Sequence, residues 1–574
     1  MLSSAEKIKL LLAKKVEEAK ARATEHIFLN STNSTNNIIT ISPENIHHSH
    51  NILDIADIVD RNGKKISYNK EQQAAIHLAS QGKSFNLIGS AGTGKTTTSY
   101  GMCSHLINKY ATEFLNSNHK YIRDGALPIL IVSYTNLSVI NIQNRVPPEL
   151  VDNCMTIHKL LEYKPERREL ITEDGTVKYP WMFVPGRNAI KPLPEGIRVV
   201  IFEESGLIDC KLYLEFKAAL PHNVQEIFLG DMNQLSTIFS PQILGFKVNF
   251  LPSVELTEVH RQALDSPILK LATDIKNGIT IPLKEFETRS VPGKLRLHPW
   301  KKEISLEAAL AVLGKEIFPT FYKNKLYNPM EDIIIMPYNK SFGTIELNKY
   351  IAQMLTEERE ADVYEIIQGY AKYYYAVGDK VFYEKFSATI TDIRPNPKYY
   401  GVTPAAHSKT MNYWGIDKEG QKNKDNAEVS DKNLDDILAQ FALQEGEDIE
   451  ERKLTPSHIV TVYIDETGRY VDIVDGTSMG RLELGYCLTM RKAQGSEWRR
   501  VFALVHHSNW LHMSREALYT MVTRAREELY MICPPDLFIK GVERQSVPGK
   551  TLLEKAEAFK GNLKKFDFDV NLLK

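Results

Sequence analysis

The stretch FNLIGSAGTGKT, Phe85 to Thr96, governs how the rest of the chain is read. FNLI (85–88) reads as a short buried strand. It runs into Gly89-Ser90-Ala91-Gly92-Thr93-Gly94-Lys95-Thr96, which matches GxxxxGK[ST], and helical spacing follows. A strand before this motif and a helix after it are the context that gives it meaning. The glycines let backbone N–H groups converge on phosphate oxygens, and the helix N-terminus adds a favourable dipole. Lys95 supplies a point charge for β- and γ-phosphates, and Thr96 supplies a hydroxyl ligand for Mg²⁺. The candidate nucleotide loop therefore comprises Gly89, Ser90, Ala91, Gly92, Thr93, Gly94, Lys95, Thr96 and Thr97.

Further candidates lie on either side of the loop. Seventeen residues ahead of Gly89 stands Gln72, in YNKEQ (68–72). A glutamine amide carries both a donor and an acceptor and can pair with two adjacent positions on an adenine edge. FEES (202–205) follows the apolar run VVIF (199–202). A carboxylate at a strand end can hold Mg²⁺ through water, and its neighbour can orient or deprotonate an attacking water. Glu203 takes the first role and Glu204 the second. GDMNQL (230–235) lies just beyond EIFL (226–229), and Gln234 is placed to sense a γ-phosphate. Arg261, in ELTEVHRQ (255–262), and Arg524, in LYTMVTRARE (518–527), are candidates for arginines delivered by a second domain to stabilise charge on the transferring phosphoryl group. Paired acids usually mark a solvated turn and most arginines are surface residues. The flanking strands and the upstream phosphate loop set these apart.

The chain has 574 residues, 71 Lys plus Arg and 72 Asp plus Glu, for a formal net charge of −1. Hydrophobic residues make up 43% and charged residues 25%, an ordinary globular balance at a length that predicts three or four domains. The balance excludes a wholly basic nucleic-acid coat but not a local basic groove. Five scattered cysteines without a CxxC pair argue against a disulfide scaffold and against a structural zinc site. A reducing, cytoplasmic compartment is expected. No run of eighteen apolar residues predicts a membrane span, and Lys9, Lys14 and Lys15 interrupt the N-terminal apolar stretch, which does not read as a signal peptide.

Patterning divides the chain. Residues 1–67 hold a helix over 4–26, with Ile8, Leu11, Leu12, Val16, Ala19 and Ala23 on one face, and then the polar linker NSTNSTNN (30–37). Residues 68–260 alternate short apolar strands, FNLI, ILIV (129–132), VVIF and EIFL, with helical spacing. Such runs suit strands buried on both faces of a parallel sheet. A second series, DIIIMP (332–337), RRVFALV (499–505) and ELYMIC (528–533), predicts another α/β domain over 261–375 and 481–545, followed by a tail at 546–574. Two insertions interrupt this plan. Residues 163–197 carry β-prone runs around Asp174-Gly175, a hairpin signal. Residues 376–480 contain VGDKVFYEKF, ATITDI, SHIVTVYI and GRYVDIVDG, read as strands of a small β barrel. Within it lies an acidic, Lys/Asn/Gln-rich surface loop, 405–453, whose LDDILAQFAL (434–443) reads as a short helix. Trp181, Phe183 and Tyr179 either stack on nucleobases or pack the base of the hairpin.

In order, YNKEQ, GSAGTGKT, SYTN, TIHKLL, FEES, GDMNQL, VHRQ, MPYN, GYCLTMRKAQGSE and LYTMVTRAR resemble the superfamily 1 DNA helicases of the RecD/Dda/Pif1-like (1B) branch over roughly residues 68–535. The late pair TMRKAQGSE (489–497) and YTMVTRA (519–525) is specific to that branch, and the small two-motor layout is similar to phage helicases of the Dda type. The resemblance implies two RecA-like P-loop motor domains with ATP and Mg²⁺ between them. It further implies a strand-separating pin at 163–197 in the first and an SH3-like barrel at 376–480 in the second. It implies that Gln72 recognises adenine and that Lys95, Thr96, Glu203, Glu204 and Gln234 serve hydrolysis, with Arg261 and Arg524 reaching the γ-phosphate. Thr135, His158, Asn339, Thr489 and Lys492 would contact the strand or its groove, and Lys492, Gln494, Gly495 and Glu497 would link groove to nucleotide cleft. The implied activity is ATP-driven 5′→3′ translocation on single-stranded DNA by a monomer. Forked duplex DNA would be unwound in replication, recombination or repair, with single-strand-binding or replisome proteins as possible associates and no membrane. An RNA-directed helicase and an ATPase that remodels protein–DNA complexes are the rival readings. Three features depart from the branch: Glu203 where Asp is usual, Arg491 where His is common, and the 405–453 and N-terminal segments, which have no counterpart.

Overall fold

The computed structural model describes residue 55, residues 58–563 apart from 111–127, 168–169, 172–176, 179–180, 238–240, 259–264, 300–303, 384–385, 400–402, 405–410, 417–454 and 466, and residue 573. The expected N-terminal helix, the Asp174-Gly175 tip, Tyr179, Arg261 and the LDDILAQFAL segment lie outside the described residues.

The first lobe is built on a six-stranded parallel sheet. Its strands are β1 (Phe85–Gly89), β2 (Ile129–Ser133), β3 (Cys154–Thr156), β4 (Val199–Phe202), β5 (Gln225–Gly230) and β6 (Ser253–Leu256). The spatial order is β6-β1-β5-β4-β2-β3. Helices α1 (Lys70–Ser80), α2 (Lys95–Lys109) and α3 (Asn136–Gln143) follow the same chain order. Side chains alternate across a strand, so a run apolar at every position needs cover on both faces. β2 meets that need: Ile129 and Ile131 join Ile76, Met102 and Leu106 in one core, while Leu130 and Val132 join Tyr213 and Phe216 in the other. Because β1, β5 and β4 are neighbours, the phosphate loop, Gly230–Gln234 and Glu203–Glu204 all leave the sheet side by side at its C-terminal edge, where α/β sheets place their ligands.

The second lobe repeats the design with a five-stranded parallel sheet of order β7-β11-β10-β8-β9. Its strands are β7 (Leu295–Pro299), β8 (Ile333–Met336), β9 (Cys487–Thr489), β10 (Trp498–Leu504) and β11 (Ala525–Cys533). Helices α4 (Pro267–Lys276), α5 (Thr344–Glu358) and α6 (Arg515–Val522) cover it. Ile333, Ile335, Val501 and Met531 face α4 and α6, and Ile334, Met336, Phe502 and Ile532 face α5. The three strands expected here are the three central ones. The edge strands β7 and β9 are additions.

Both insertions are β structure. Lys164–Arg167 pairs antiparallel with Trp181–Val184, and Leu170–Ile171 with Val177–Lys178. The larger insertion forms a five-stranded antiparallel sheet in the order Arg469–Ile473, His458–Ile464, Phe386–Pro395, Lys380–Tyr383, Leu482–Leu484. A hairpin, Val363–Gln368 with Ala371–Ala376, precedes it in the span that the sequence assigns to the second α/β domain. Its Ile366 and Tyr375 turn into the core of the insertion, beside Val381, Ile390 and Val462, so the β unit begins earlier than 376. Asp379 fastens that unit to the second lobe. Buried, it accepts from Tyr413 Oη (2.7 Å), Tyr486 Oη (3.1 Å), Arg359 Nη2 (3.1 Å) and the Ala376 N–H (2.9 Å).

The C-terminal span, expected only as a tail, carries helix α7 (Leu552–Leu563). Ala556 and Phe559 enter the first-lobe core beside Ile243 and Phe246, so this helix packs back on the first lobe. Among the described residues no helix is long and apolar enough to cross a membrane.

Candidate nucleotide site and the seam between the lobes

The phosphate loop has the backbone its glycines predict. Gly92 and Gly94 take φ of +79° and +85°, the left-handed region in which an L side chain is strained. Thr93 Oγ1 donates to Ser90 O at 2.9 Å and braces the turn. Lys95 Nζ donates to Gly89 O (2.6 Å) and Ser90 O (3.2 Å), which keeps the ammonium over the loop. Thr96, in the first turn of α2, is exposed.

Gln72 sits on α1, fully buried, in a capping box. Its backbone N–H bonds Asn69 Oδ1 at 2.9 Å, and its Oε1 accepts from the Asn69 N–H at 3.0 Å. Its Nε2 is buried without a hydrogen-bond partner among the described residues. An unpaired buried donor costs about 1–3 kcal/mol, so a site that keeps one is poised to receive an acceptor. An adenine edge provides one. The loop N–H groups, Lys95, the exposed Thr96 hydroxyl and Gln72 Nε2 together fit a Mg²⁺-bound adenine nucleotide.

The two acids stand apart from each other in setting. Glu203 is partly buried and accepts from Ser99 Oγ at 2.8 Å. Burial pushes its carboxyl up to about 7; the Ser99 bond opposes this and the Glu204 charge adds to it. Glu204 takes φ of +50°, a left-handed conformation for a residue other than glycine, at the turn leaving β4. Such a backbone re-aims its side chain away from the line of the strand.

The seam runs along GDMNQL. Leu235 belongs to the first lobe, yet its side chain lies in the second-lobe core at 7% exposure. Its N–H donates to Thr520 Oγ1 (3.1 Å) and its carbonyl accepts from Gln494 Nε2 (3.0 Å). Arg491 Nη1 donates to Ser236 O at 2.7 Å, so this departure from the branch pattern serves as a cross-lobe tie. Asn141 Nδ2, on α3, donates to Gly495 O at 2.7 Å, and Arg145 meets Glu497 at 3.4 Å on the surface. Gln234 is buried next to these contacts.

Other expected residues are dispersed. Arg524 is 4% exposed, and its guanidinium donates to Thr520 O (3.1 Å), Ser496 O (3.0 Å) and Thr523 Oγ1 (3.1 Å), all within the second lobe. Thr135 caps α3, accepting from the Ser138 N–H at 3.1 Å. His158 packs edge-on to Tyr134 and Tyr163, with ring centroids 5.4 and 5.0 Å away. Asn339 Oδ1 accepts from Thr344 Oγ1 at 2.9 Å. Thr489 Oγ1 accepts from the Lys492 N–H at 3.3 Å, and the Lys492 ammonium pairs with Glu483 of the antiparallel insertion. Two second-lobe residues at the phosphate loop have no local signature: Lys276 Nζ donates to Ser90 Oγ at 2.6 Å, and Tyr519 Oη accepts the Ala91 N–H at 2.9 Å.

Known families match two parts of the chain: residues 72–240 match the AAA domain, and residues 484–532 the UvrD-like helicase C-terminal domain. Among curated proteins, the chain is 24% identical over 377 residues to the ATP-dependent RecD2 DNA helicase of Deinococcus radiodurans, an alignment covering 65% of this chain and 39% of that protein. It is 21% identical over 369 residues to the RecBCD enzyme subunit RecD of Buchnera aphidicola subsp. Schizaphis graminum, covering 60% and 56%. The chain thus spans well under two thirds of either relative. Among solved structures, it is similar to Pif1 helicase from Bacteroides in complex with ADP-AlF3 and ssDNA (15% identity, 88% of this chain and 98% of that one, TM-score 0.44). It is also similar to Pif1 helicase from Candida albicans (13% identity, 87% and 100%, TM-score 0.41).

Proposed function

We propose that the chain is an ATP-dependent DNA helicase of the superfamily 1 RecD/Pif1 type, which travels 5′→3′ on single-stranded DNA and opens forked duplexes. One observation carries the reading. A complete phosphate loop stands at the edge of one parallel-sheet lobe, and the second lobe touches that loop directly through Lys276 and Tyr519. Contacts of this kind let occupancy of the nucleotide site alter how two lobes sit against each other.

The chain's own residues divide the work. Gln72 reads the base, the loop N–H groups and Lys95 hold the phosphates, and Thr96 with Glu203 would hold Mg²⁺. The metal, when bound, neutralises developing phosphate charge. Glu204 orients and deprotonates the attacking water. Arg261 and Arg524 approach from the second lobe as the lobes close. Leu235, clamped front and back by second-lobe groups, is the joint that carries closure across the seam. Thr135, His158, Asn339, Thr489 and Lys492 mark the strand-binding face. Contacts there are to backbone phosphates and carry little sequence information, so binding is salt-sensitive and sequence-tolerant. The 163–197 hairpin acts as the pin that splits the fork, and the antiparallel insertion as an SH3-like module held on the second lobe by Asp379. Phage origin, monomeric state, cytoplasmic location, and roles in replication, recombination or repair belong to the same proposal.

The test is strand displacement on forked DNA bearing a 5′ or a 3′ single-stranded tail, with and without ATP, for the natural chain and Lys95→Ala. Unwinding from the 5′ tail alone, lost in Lys95→Ala while single-stranded DNA binding survives, supports the reading. ATP turnover without displacement of naked DNA would favour a protein-remodelling ATPase, and preference for a matched RNA duplex an RNA-directed helicase.

A further inference from the structure

Tyr519 projects from α6 of the second lobe into the first-lobe phosphate loop and is 2% exposed. Its hydroxyl sits among three groups, the Ala91 N–H, the Asp231 carboxylate and the Ser90 side chain. It accepts the Ala91 N–H at 2.9 Å and donates to Asp231 Oδ2 at 2.7 Å. Asp231 is itself fixed, since its Oδ1 accepts from the Asn233 N–H and Nδ2, each at 2.9 Å. Burial and the Asp231 charge push the phenol well above its usual range, so it stays protonated and remains a donor. The adjacent loop residue is engaged too, with Lys276 Nζ 2.6 Å from Ser90 Oγ.

A single amide hydrogen makes one good hydrogen bond. In a phosphate loop those hydrogens are what bind phosphate oxygens. Tyr519 therefore occupies, with an oxygen from the other lobe, a donor of the kind a nucleotide needs. A phosphate on Ala91 would also approach the Asp231 carboxylate, which at present has the phenol O–H between it and the loop. Arg524, five residues along the chain, spends its donors on Thr520 O and Ser496 O, so a shift of α6 would disturb its bonds as well.

We propose that Tyr519 is a phosphate gate: its phenol oxygen competes with a nucleoside-triphosphate oxygen for the Ala91 N–H, and nucleotide binding transfers that bond from the second lobe to the phosphate, freeing α6 to reposition Arg524. Only hydrogen-bond partners are exchanged. The inference rests on the nucleotide-site reading above, and Tyr519 acts in it as a positioning residue.

The test uses the full chain without DNA and a fluorescent ATP analogue with Mg²⁺, read by equilibrium titration and stopped flow. Tyr519→Phe keeps the ring and removes the competing oxygen. It should bind the nucleotide about threefold to tenfold tighter, the scale of one lost competing hydrogen bond. The gain should lie in a faster association rate, which a merely structural tyrosine would not alter. Unchanged or weaker binding by a Tyr519→Phe protein whose unfolding midpoint shows it folded, next to a natural chain that binds, overturns the gate and leaves the nucleotide site standing. Failure of the natural chain to bind the nucleotide at all overturns both.

Discussion

Ser99 Oγ donates to Glu203 Oε1 at 2.8 Å, tying the acid at the end of β4 to α2 three residues beyond Thr96. The Glu203 side chain is one methylene longer than an Asp would be, and that reach is used within the chain. The bond sets the direction of the carboxylate that would face Mg²⁺. Ser99→Ala should lower ATP turnover several-fold and raise the Mg²⁺ concentration needed for half-maximal rate, with about 1 kcal/mol lost in stability. Glu203→Asp should keep turnover and make it indifferent to Ser99, so the double variant matches Glu203→Asp alone. A double-mutant cycle on kcat and Mg²⁺ dependence measures this. Additive effects would mean that Ser99 acts elsewhere.

Gly495 sits against α3 with φ of +78°, and a Cβ built there would lie 2.0 Å from Ser138 Oγ. Gly495→Ala therefore meets backbone strain of about 1 kcal/mol and a collision across the seam. The expected result is a loss of DNA stimulation of the ATPase far exceeding any loss of the DNA-free rate. Ser138→Ala in the same chain, which removes the colliding oxygen, should restore part of the stimulation. If the second change restores nothing, the seam contact is not what Gly495 protects.

Lys380 lies buried between the antiparallel insertion and the second lobe, where its Nζ donates to Pro329 O and Asp332 O, each at 3.1 Å. Burial pushes its ammonium down to about 8, against the pull of Asp332. The folded state thus carries a penalty for the charged form that is fully present below pH 8. That penalty fades as the pH rises toward the ordinary lysine value. Between pH 8 and 10 the natural chain should gain roughly 2 kcal/mol on Lys380→Met. Urea midpoints of both proteins across that range decide it. Parallel curves would show that Lys380 keeps an ordinary pKa.

The place of three candidate segments at strand ends was legible because that pattern is local. GSAGTGKT, FEES and GDMNQL each stand directly after an apolar strand, and the sheet order then brings their three strands together. The seam was not legible. Tyr519 and Ala91 are 428 residues apart, and nothing in LYTMVTRAR distinguishes a tyrosine that crosses to another lobe from one that packs at home. Leu235 reads as an ordinary apolar residue following Gln234, and only the fold places it in a core whose other described members lie outside its own lobe. The same limit applies to Arg524, whose motif marks the residue but not the carbonyls that hold its guanidinium. The edge strands β7 and β9 were missed for another reason: three residues in β9, and an Arg and a His within β7, make too short or too mixed a run to stand out.

Helix α7 did carry a readable pattern, with Leu552, Ala556 and Phe559 four and three residues apart, and its placement connects stability to the nucleotide site. Phe559 is buried against the first lobe so closely that a Cβ on Gly245 would come within 2.8 Å of its ring. Lys555 Nζ, four residues earlier, donates to Asn233 Oδ1 at 2.5 Å and to Met232 O at 3.3 Å, bracing the loop that presents Gln234. Phe559→Ala should cost about 3–5 kcal/mol, the usual loss for emptying a buried phenylalanine site. Lys555→Met should cost less in stability but lower ATP turnover, because the GDMNQ loop loses its brace. Guanidinium unfolding read alongside steady-state ATPase separates the two effects. If Lys555→Met leaves turnover intact while Phe559→Ala lowers stability, the C-terminal helix is a clasp on the first-lobe core and has no part in positioning Gln234.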